Sequence, residues 1–296
     1  MFIRRLPRFE YHTPASVAEA LDLLGRFGDK GRMIAGGTDL LVDMKKREVV
    51  PEHLISLNGI AELKGIAFSD NGGLRIGALA TLGEIERSSI VREMYPPLRD
   101  AVDVMASTQI RTLATIGGNL CSALPSADTA PPLIALGASL KLIGPQGDRW
   151  VAVEDFFVAP KQSVCHADEI LAEIHVPKPV ANSSGGYLKL MRRHAMDLAL
   201  VGVAVCLTLD GDRRLCKGAR IGLGSVAPTP VRVTDAERVL VDQEITEVLV
   251  REAAAIASRE CRSRRESIRA SQEYRRMMVE VLTKRAILEA HRRIVG

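Results

Sequence analysis

The chain has 296 residues, 47% apolar and 26% charged, with a formal net charge of +4, a normal globular composition with room for two or three compact units. Five scattered cysteines (Cys121, Cys165, Cys206, Cys216, Cys261) form no C-x-x-C pair, so no disulfide framework or iron–sulfur motif is spelled out, and a reducing, cytoplasmic location is expected. No membrane span is expected, because no apolar run approaches about 18 residues; the opening MFIRRLPRFEYHTP lacks the apolar core of a secretory leader.

In chain order, Val17, Ala20, Leu21 and Leu24 have helical spacing behind Thr13 and Pro14, which predicts a helix over residues 14–25. Short apolar runs at Met33–Ala35 and Leu54–Leu57 read as strands of a small α/β lobe. From residue 58 the pattern restarts: Ile66–Phe68 and Leu74–Ile76 flank the turn DNGG, and Thr81-x-x-Glu84 is a capping box. Leu98, Ala101, Val102 and Met105 again suit a helix, while Ala114–Asn119 reads as a strand ending in a glycine pair. Asp128 precedes Pro131, Pro132 and an apolar helix; SLKLI-GPQGDR-WVAV reads as a hairpin and DEILAEIHVP as a strand. The stretch VANSSGG is expected to be a linker. Beyond it, YLKL, VGVAVCLTL and ARIGLGSV predict three antiparallel strands, with Asp210-Gly211 as turn chemistry. Thereafter the chain should be helical, with Tyr274, Met277, Met278, Val281 and Leu288 forming an apolar stripe expected to pack in the core. The basic run SRECRSRRESIRASQEYRR lacks interleaved aromatics and reads as a solvated helical face, so no nucleic-acid partner is expected.

Two segments carry the chemistry. In Ile34-Ala35-Gly36-Gly37-Thr38-Asp39-Leu40 a strand runs into paired glycines, where backbone N–H groups can turn toward an anion without a Cβ in the way. Thr115-Ile116-Gly117-Gly118-Asn119 repeats the pattern. One such loop is a weak signal; two in neighbouring lobes suggest a dinucleotide in a cleft between them, with Thr38, Thr115, Ser122 and Asp128 as polar partners. Gly222-Leu223-Gly224-Ser225-Val226-Ala227 imitates a Rossmann turn, but Pro228 and Pro230 forbid the helix that must follow it. No P-loop or G-x-S-x-G elbow occurs. The six histidines stand alone in sequence, without H-E-x-x-H spacing, and read as surface or boundary residues.

Taken together, FxYHTPASVAEAL, AGGTDLL, QIRTLATIGGNLCSALPSAD, DEILAEIHVP, YLKLMRRHAMDLALV, IGLGSVAPTPVR and SQEYRR resemble, over nearly the whole chain, the FAD-binding medium subunits of molybdenum hydroxylases, the family of xanthine dehydrogenase and aerobic carbon monoxide dehydrogenase. The resemblance implies that Met33 and Ile34–Leu40 wrap the FAD pyrophosphate and that Thr115–Asn119 form the second flavin loop. It further implies that Ser122 and Asp128 meet the ribityl and phosphate region, and that Leu171 and either Tyr187 or Lys189 lie beside the isoalloxazine. Met105 stands where xanthine dehydrogenase-like chains place an aromatic near the adenine. The cysteine-rich insertion of chains resembling 4-hydroxybenzoyl-CoA reductase is missing, so no cluster is expected here, and Cys121 reads as a small buried apolar residue.

The expected fold is α+β: a two-lobed FAD-binding domain of the PCMH/vanillyl-alcohol-oxidase type (lobes 1–57 and 58–178), then a C-terminal domain (183–296) of a three-stranded antiparallel sheet plus helices. By resemblance the chain is an electron-transfer subunit without catalytic acid, base or metal ligand. Its implied partners are a large molybdenum-cofactor subunit and a small subunit with [2Fe-2S] clusters, in a dimer of heterotrimers, with NAD, a quinone, oxygen or a ferredoxin as acceptor. A non-catalytic nucleotide-binding scaffold and a free-standing flavin oxidase are the alternatives. The oxidase would need a substrate-binding cap, for which the chain leaves little room.

Overall fold

A computed structural model describes residues 5–263 and 267–296. The first four residues of the opening segment and residues 264–266 of the basic run lie outside the described residues.

The first part comprises β1 (Glu10–His12), α1 (Val17–Phe27), β2 (Gly31–Ile34), α2 (Leu40–Lys46) and β3 (His53–Ser56), with the strands pairing in parallel in the order β1-β3-β2. Helix α1 starts later than Thr13-Pro14 predicts. Ser16 is its N-cap, accepting from the Glu19 amide at 3.2 Å while the Glu19 carboxylate accepts from Ala15 N–H at 2.8 Å. This S-x-x-E signature satisfies orphan donors that a start at Pro14 would leave open.

The second part holds β4 (Ile66–Ser69), β5 (Gly73–Gly77), α3 (Leu82–Arg87), α4 (Ser89–Met94), α5 (Pro96–Asp103), α6 (Thr108–Arg111), α7 (Ile116–Cys121), α8 (Ala130–Ala135), β6 (Ser139–Gly144), β7 (Gly147–Ala152), β8 (Phe157–Ala159), β9 (Gln162–Ser163) and β10 (Ile170–Val176). Five of its strands make one antiparallel sheet, β4-β5-β10-β6-β7, in which SLKLI and WVAV form the expected hairpin. The Thr81–Glu84 capping box opens α3 as the spacing predicts. Met105, by contrast, lies past the end of α5, and Ala114–Asn119 is not a strand. Thr115 N-caps α7, its hydroxyl accepting from Gly118 N–H at 3.1 Å, so the second glycine pair sits in a helix's first turn.

The third part consists of β11 (Ser183–Leu190), β12 (Val201–Leu209), β13 (Cys216–Gly224), β14 (Val231–Arg232), α9 (Thr234–Leu240), α10 (Glu247–Arg259) and α11 (Gln272–Val295). Its antiparallel sheet has four strands rather than three, because Val231 and Arg232 pair with Leu223 and Gly222. Nor is VANSSGG a linker: Ser183–Gly186 begin β11 and pair with β12, and a Cβ on Gly185 would stand 2.2 Å from the Val205 carbonyl oxygen. The Rossmann-like Gly222 and Gly224 serve packing, since side chains there would strike Pro131 at the start of α8, at 2.3 Å and 2.7 Å. Helix is interrupted between Arg259 and Gln272. The tail stripe also departs from expectation: Met278 packs on the core, whereas Tyr274, Met277, Val281 and Leu288 are exposed, and α11 buries Val279, Leu282, Ala286, Ile287 and Ala290 instead.

A shared core fixes the first two parts against each other. Val17, Ala20, Ile55 and Leu57 pack with Leu79 and with Ile170 and Ala172 of β10 in one buried cluster, so the space between the parts is a built cleft.

Candidate functional site

That cleft has a volume of ≈ 1320 Å³, above the about 300–1,000 Å³ typical of small-ligand pockets. Of the residues singled out from the sequence, Met33, Ile34, Ala35, Gly36, Gly37, Thr38, Asp39, Leu40, Thr115, Gly117, Gly118, Asn119, Ser122, Asp128 and Leu171 line it. Ile116, Tyr187 and Lys189 do not, and their side chains are buried.

One wall is the turn between β2 and α2. Gly37 has φ +68°, and a Cβ on Gly36 would lie 2.0 Å from the Leu113 carbonyl oxygen, so this turn must pass directly over the chain entering α7. The first internal bond of α2's leading turn is Leu41 N–H to the Gly37 carbonyl at 3.0 Å. Among the described residues, the amides of Gly36, Gly37, Thr38, Asp39 and Leu40 find no acceptor. Five consecutive free donors along the lining of a cleft, just ahead of α2, have the chemistry of an anion-binding nest. Asp39 faces the cleft; desolvation by its surroundings and the neighbouring Asp43 raise its carboxyl pKa, while Lys161 and the Ser122 hydroxyl act in the opposite direction.

The opposite wall is chemically different. The amides of Ile116, Gly117 and Gly118 are consumed by Ala80 O, Ala78 O and Thr115 Oγ1, and Ser122 donates to the Asn119 carbonyl at 2.9 Å. A Cβ on Gly117 would stand 2.7 Å from Ala78, whereas one on Gly118 would meet only its own cap, Thr115 Oγ1, at 2.9 Å. Unlike Gly37, Gly118 does not have a positive φ. This wall supplies a close, smooth surface rather than backbone donors.

Behind it, Asp128 accepts from Tyr187 Oη at 2.7 Å and from Lys189 Nζ at 2.8 Å, and Lys189 also donates to Val104 O at 3.4 Å. Burial pushes the Asp128 carboxyl up, with the Lys189 ammonium and the Tyr187 hydroxyl holding it down; burial next to Asp128 drives the Tyr187 phenol well above its usual range. Tyr187 and Lys189 both bond Asp128, a cleft-lining residue, and tie it to the C-terminal sheet.

Several lining residues escaped the sequence reading. Cys121 is exposed onto the cleft rather than buried in the core, and Cys165 lines it too, its thiol pushed up to about 12 by burial and Glu169. Neither is poised as a thiolate. The turn between β8 and β9 sends Lys161 across to Asp43 of α2 at 3.4 Å and to Glu48, just past that helix, at 3.1 Å. The loop after β11 brings in Met196 and Leu198, exposed by 62% and 45%, held by Asp197, whose carboxylate accepts from the Arg192, Arg193 and Leu198 amides. The Arg192 amide bond chiefly lowers that carboxyl. Exposed apolar side chains in a cleft were the available signal, but periodicity does not report on loops.

Residues 7–179 match the family model described as FAD binding domain in molybdopterin dehydrogenase, and residues 186–290 that of the CO dehydrogenase flavoprotein C-terminal domain. The chain belongs to this flavoprotein family. It is 36% identical to the carbon monoxide dehydrogenase medium chain of Hydrogenophaga pseudoflava, covering 95% of this chain and 96% of that one, and 33% identical to the xanthine dehydrogenase FAD-binding subunit of Escherichia coli O157:H7, covering 95% of each. Among solved structures it superposes with TM-score 0.94 on a chain of the H. pseudoflava carbon monoxide dehydrogenase lacking the Mo-pyranopterin moiety (36% identity, 98% and 100% coverage). For quinoline 2-oxidoreductase from Pseudomonas putida 86 the TM-score is 0.91 (29% identity, 99% and 100% coverage). The fold is therefore the mixed α/β fold of the flavin subunits of these oxidoreductases.

Proposed function

We propose that the cleft binds FAD noncovalently and that the chain is the electron-transfer subunit of a heteromeric molybdenum hydroxylase. The observation that carries this reading is the run of five unpartnered amides from Gly36 to Leu40 in a cleft large enough for a dinucleotide. In this reading the nest holds the pyrophosphate, and Thr38, Thr115, Ser122 and Asp128 lie along the ribityl and ribose chain. Leu171 borders the flavin ring, with the β11–β12 loop residues Met196 and Leu198 excluding water in place of Tyr187 and Lys189. FAD would supply the redox chemistry, exchanging electrons between [2Fe-2S] clusters of a small partner and an external acceptor. The chain's own residues bind, orient and shield, and none acts as acid or base. Substrate oxidation then belongs to a large molybdenum-cofactor partner, the whole being a cytoplasmic dimer of heterotrimers. The exposed stripe of Tyr274, Met277, Val281 and Leu288 on α11 is a surface such partners could cover. The division into lobes 1–57 and 58–178 and a C-terminal domain 183–296 belongs to the same proposal, as does the PCMH/vanillyl-alcohol-oxidase character of the first two.

The test is direct. The purified chain should show flavin absorption bands and release free FAD on acid precipitation, and native purification should bring down a molybdenum-containing chain and a small cysteine-rich one, with hydroxylase turnover only in the assembly. A colourless chain that cannot be reconstituted with FAD, or full turnover by the isolated chain, would overturn the reading.

A further inference from the structure

His12 and His53 stand 41 residues apart, yet the parallel pairing of β1 and β3 sets Glu10 opposite His53 and His12 on the same face of β1 as Glu10. Three donor atoms converge as a result. His12 Nε2 is 3.2 Å from His53 Nδ1, and Glu10 Oε2 is 3.4 Å from His53 Nδ1 and 3.9 Å from His12 Nε2. Ligands at about 2.0–2.1 Å around a tetrahedral zinc lie about 3.3–3.4 Å from one another, so these atoms outline one face of that tetrahedron with a single edge slightly long. The Phe27 ring stacks on His53 with centroids 3.8 Å apart and a 10° interplanar angle, and lies 4.8 Å from His12, which orients both imidazoles. A histidine pair joined by one hydrogen bond has no need of a carboxylate aimed at the same two nitrogens. The sequence reading, which expected no metal ligands, could not see this group because a strand pairing, not a local spacing, creates it.

We propose that Glu10, His12 and His53 bind one zinc(II) ion, with water in the fourth position. The ion staples β1 to β3 and thereby stiffens the sheet whose other edge, β2, runs into the Gly36–Gly37 turn. The site is separate from the cleft and does not depend on the flavin reading.

Metal-free full-length chain is titrated with zinc chloride in competition with a chromophoric chelator. One zinc per chain is expected, binding at least tenfold more weakly in Glu10→Gln and lost in His12→Gln and His53→Gln, with a zinc-dependent rise in Tm that EDTA reverses. Cobalt(II) in place of zinc should give tetrahedral ligand-field bands in the wild type and not in the variants. Because the Glu10 side chain is exposed, Glu10→Gln keeps the test alive even if a histidine variant misfolds. Failure of the folded wild-type chain to bind zinc, or stoichiometry and affinity unchanged in all three variants, would overturn the proposal.

Discussion

The two walls of the cleft begin from almost the same sequence, an apolar run followed by Gly-Gly and a polar residue, and end as opposites. At Gly36–Gly37 the backbone turns out of a strand with φ +68° at the second glycine and leaves five amides without acceptors. At Gly117–Gly118 the backbone enters a helix, and every amide from Ile116 to Asn119 is consumed within the protein. The second wall is further locked from behind by Asn119 Oδ1, which accepts from Thr129 Oγ1 at 2.6 Å, and by the Asp128–Tyr187–Lys189 cluster. A glycine pair thus has no fixed meaning; what decides its role is where its N–H groups go. The first wall leaves its donors free, and the second spends them on holding its shape.

The most severe way to test this contrast is to unpin the second wall. Lys189→Met leaves Asp128 buried with only a tyrosine, and breaking such a pair costs about 3–5 kcal/mol of stability. Burial already raises the Asp128 carboxyl, and losing the ammonium that holds it down raises it further. A carboxyl whose folded pKa lies above its unfolded value of about 3.9 favours folding most below that value, and the advantage is lost as pH rises through the folded pKa. The variant should therefore melt at a clearly lower temperature at pH 8 than at pH 5, a gap wider than in the wild type. An unchanged melting curve combined with lost FAD would place Lys189 at the ligand and break the comparison.

Next in size is Gly36→Ala. The new Cβ would sit 2.0 Å from the Leu113 carbonyl oxygen, so the turn must lift off its support and its donors scatter. A loss of about 3 kcal/mol corresponds to roughly a hundredfold weaker FAD binding, readable as flavin fluorescence quenching in a titration of the FAD-free chain. Wild-type affinity would mean that the amide run is not the binding element. Gly37→Val should cost less, roughly tenfold, since a left-handed conformation is worth about 1–2 kcal/mol against a side chain and the Cβ meets only Ile34 and Leu41 at 3.2 Å.

Much of this architecture was legible from the residues. The capping box at Thr81, the hairpin at Gly144–Gly147 and the cleft-lining glycine segments are written in local chemistry, which short-range patterns encode. What stayed hidden is long-range. Ser183–Gly186 look like a linker until they are seen to pair with β12, with Gly185 pressed against Val205 and Pro97; the Asp128–Tyr187–Lys189 cluster joins residues far apart in the chain. The α11 stripe is helically spaced, but spacing says that a face is apolar and not what covers it. His12 and His53 are joined by a strand register with no sequence period at all.

The mildest test separates the walls most cleanly. Gly118→Ala adds a methyl at a position with ordinary helical backbone, where the only neighbour is Thr115 Oγ1 at 2.9 Å, the oxygen that caps α7. Displacing that cap costs about 1 kcal/mol of stability, and Gly118 itself lines the cleft. If the second wall contributes only surface, FAD binding should fall by no more than a fewfold, since a methyl against a ligand removes contact but no donor. The same substitution at Gly36 removes donors, so the ratio of the two FAD dissociation constants measures the asymmetry directly. A ratio near one, with both variants weakened about a hundredfold, would mean that the second wall meets the phosphates as closely as the first and that its consumed amides rearrange on binding.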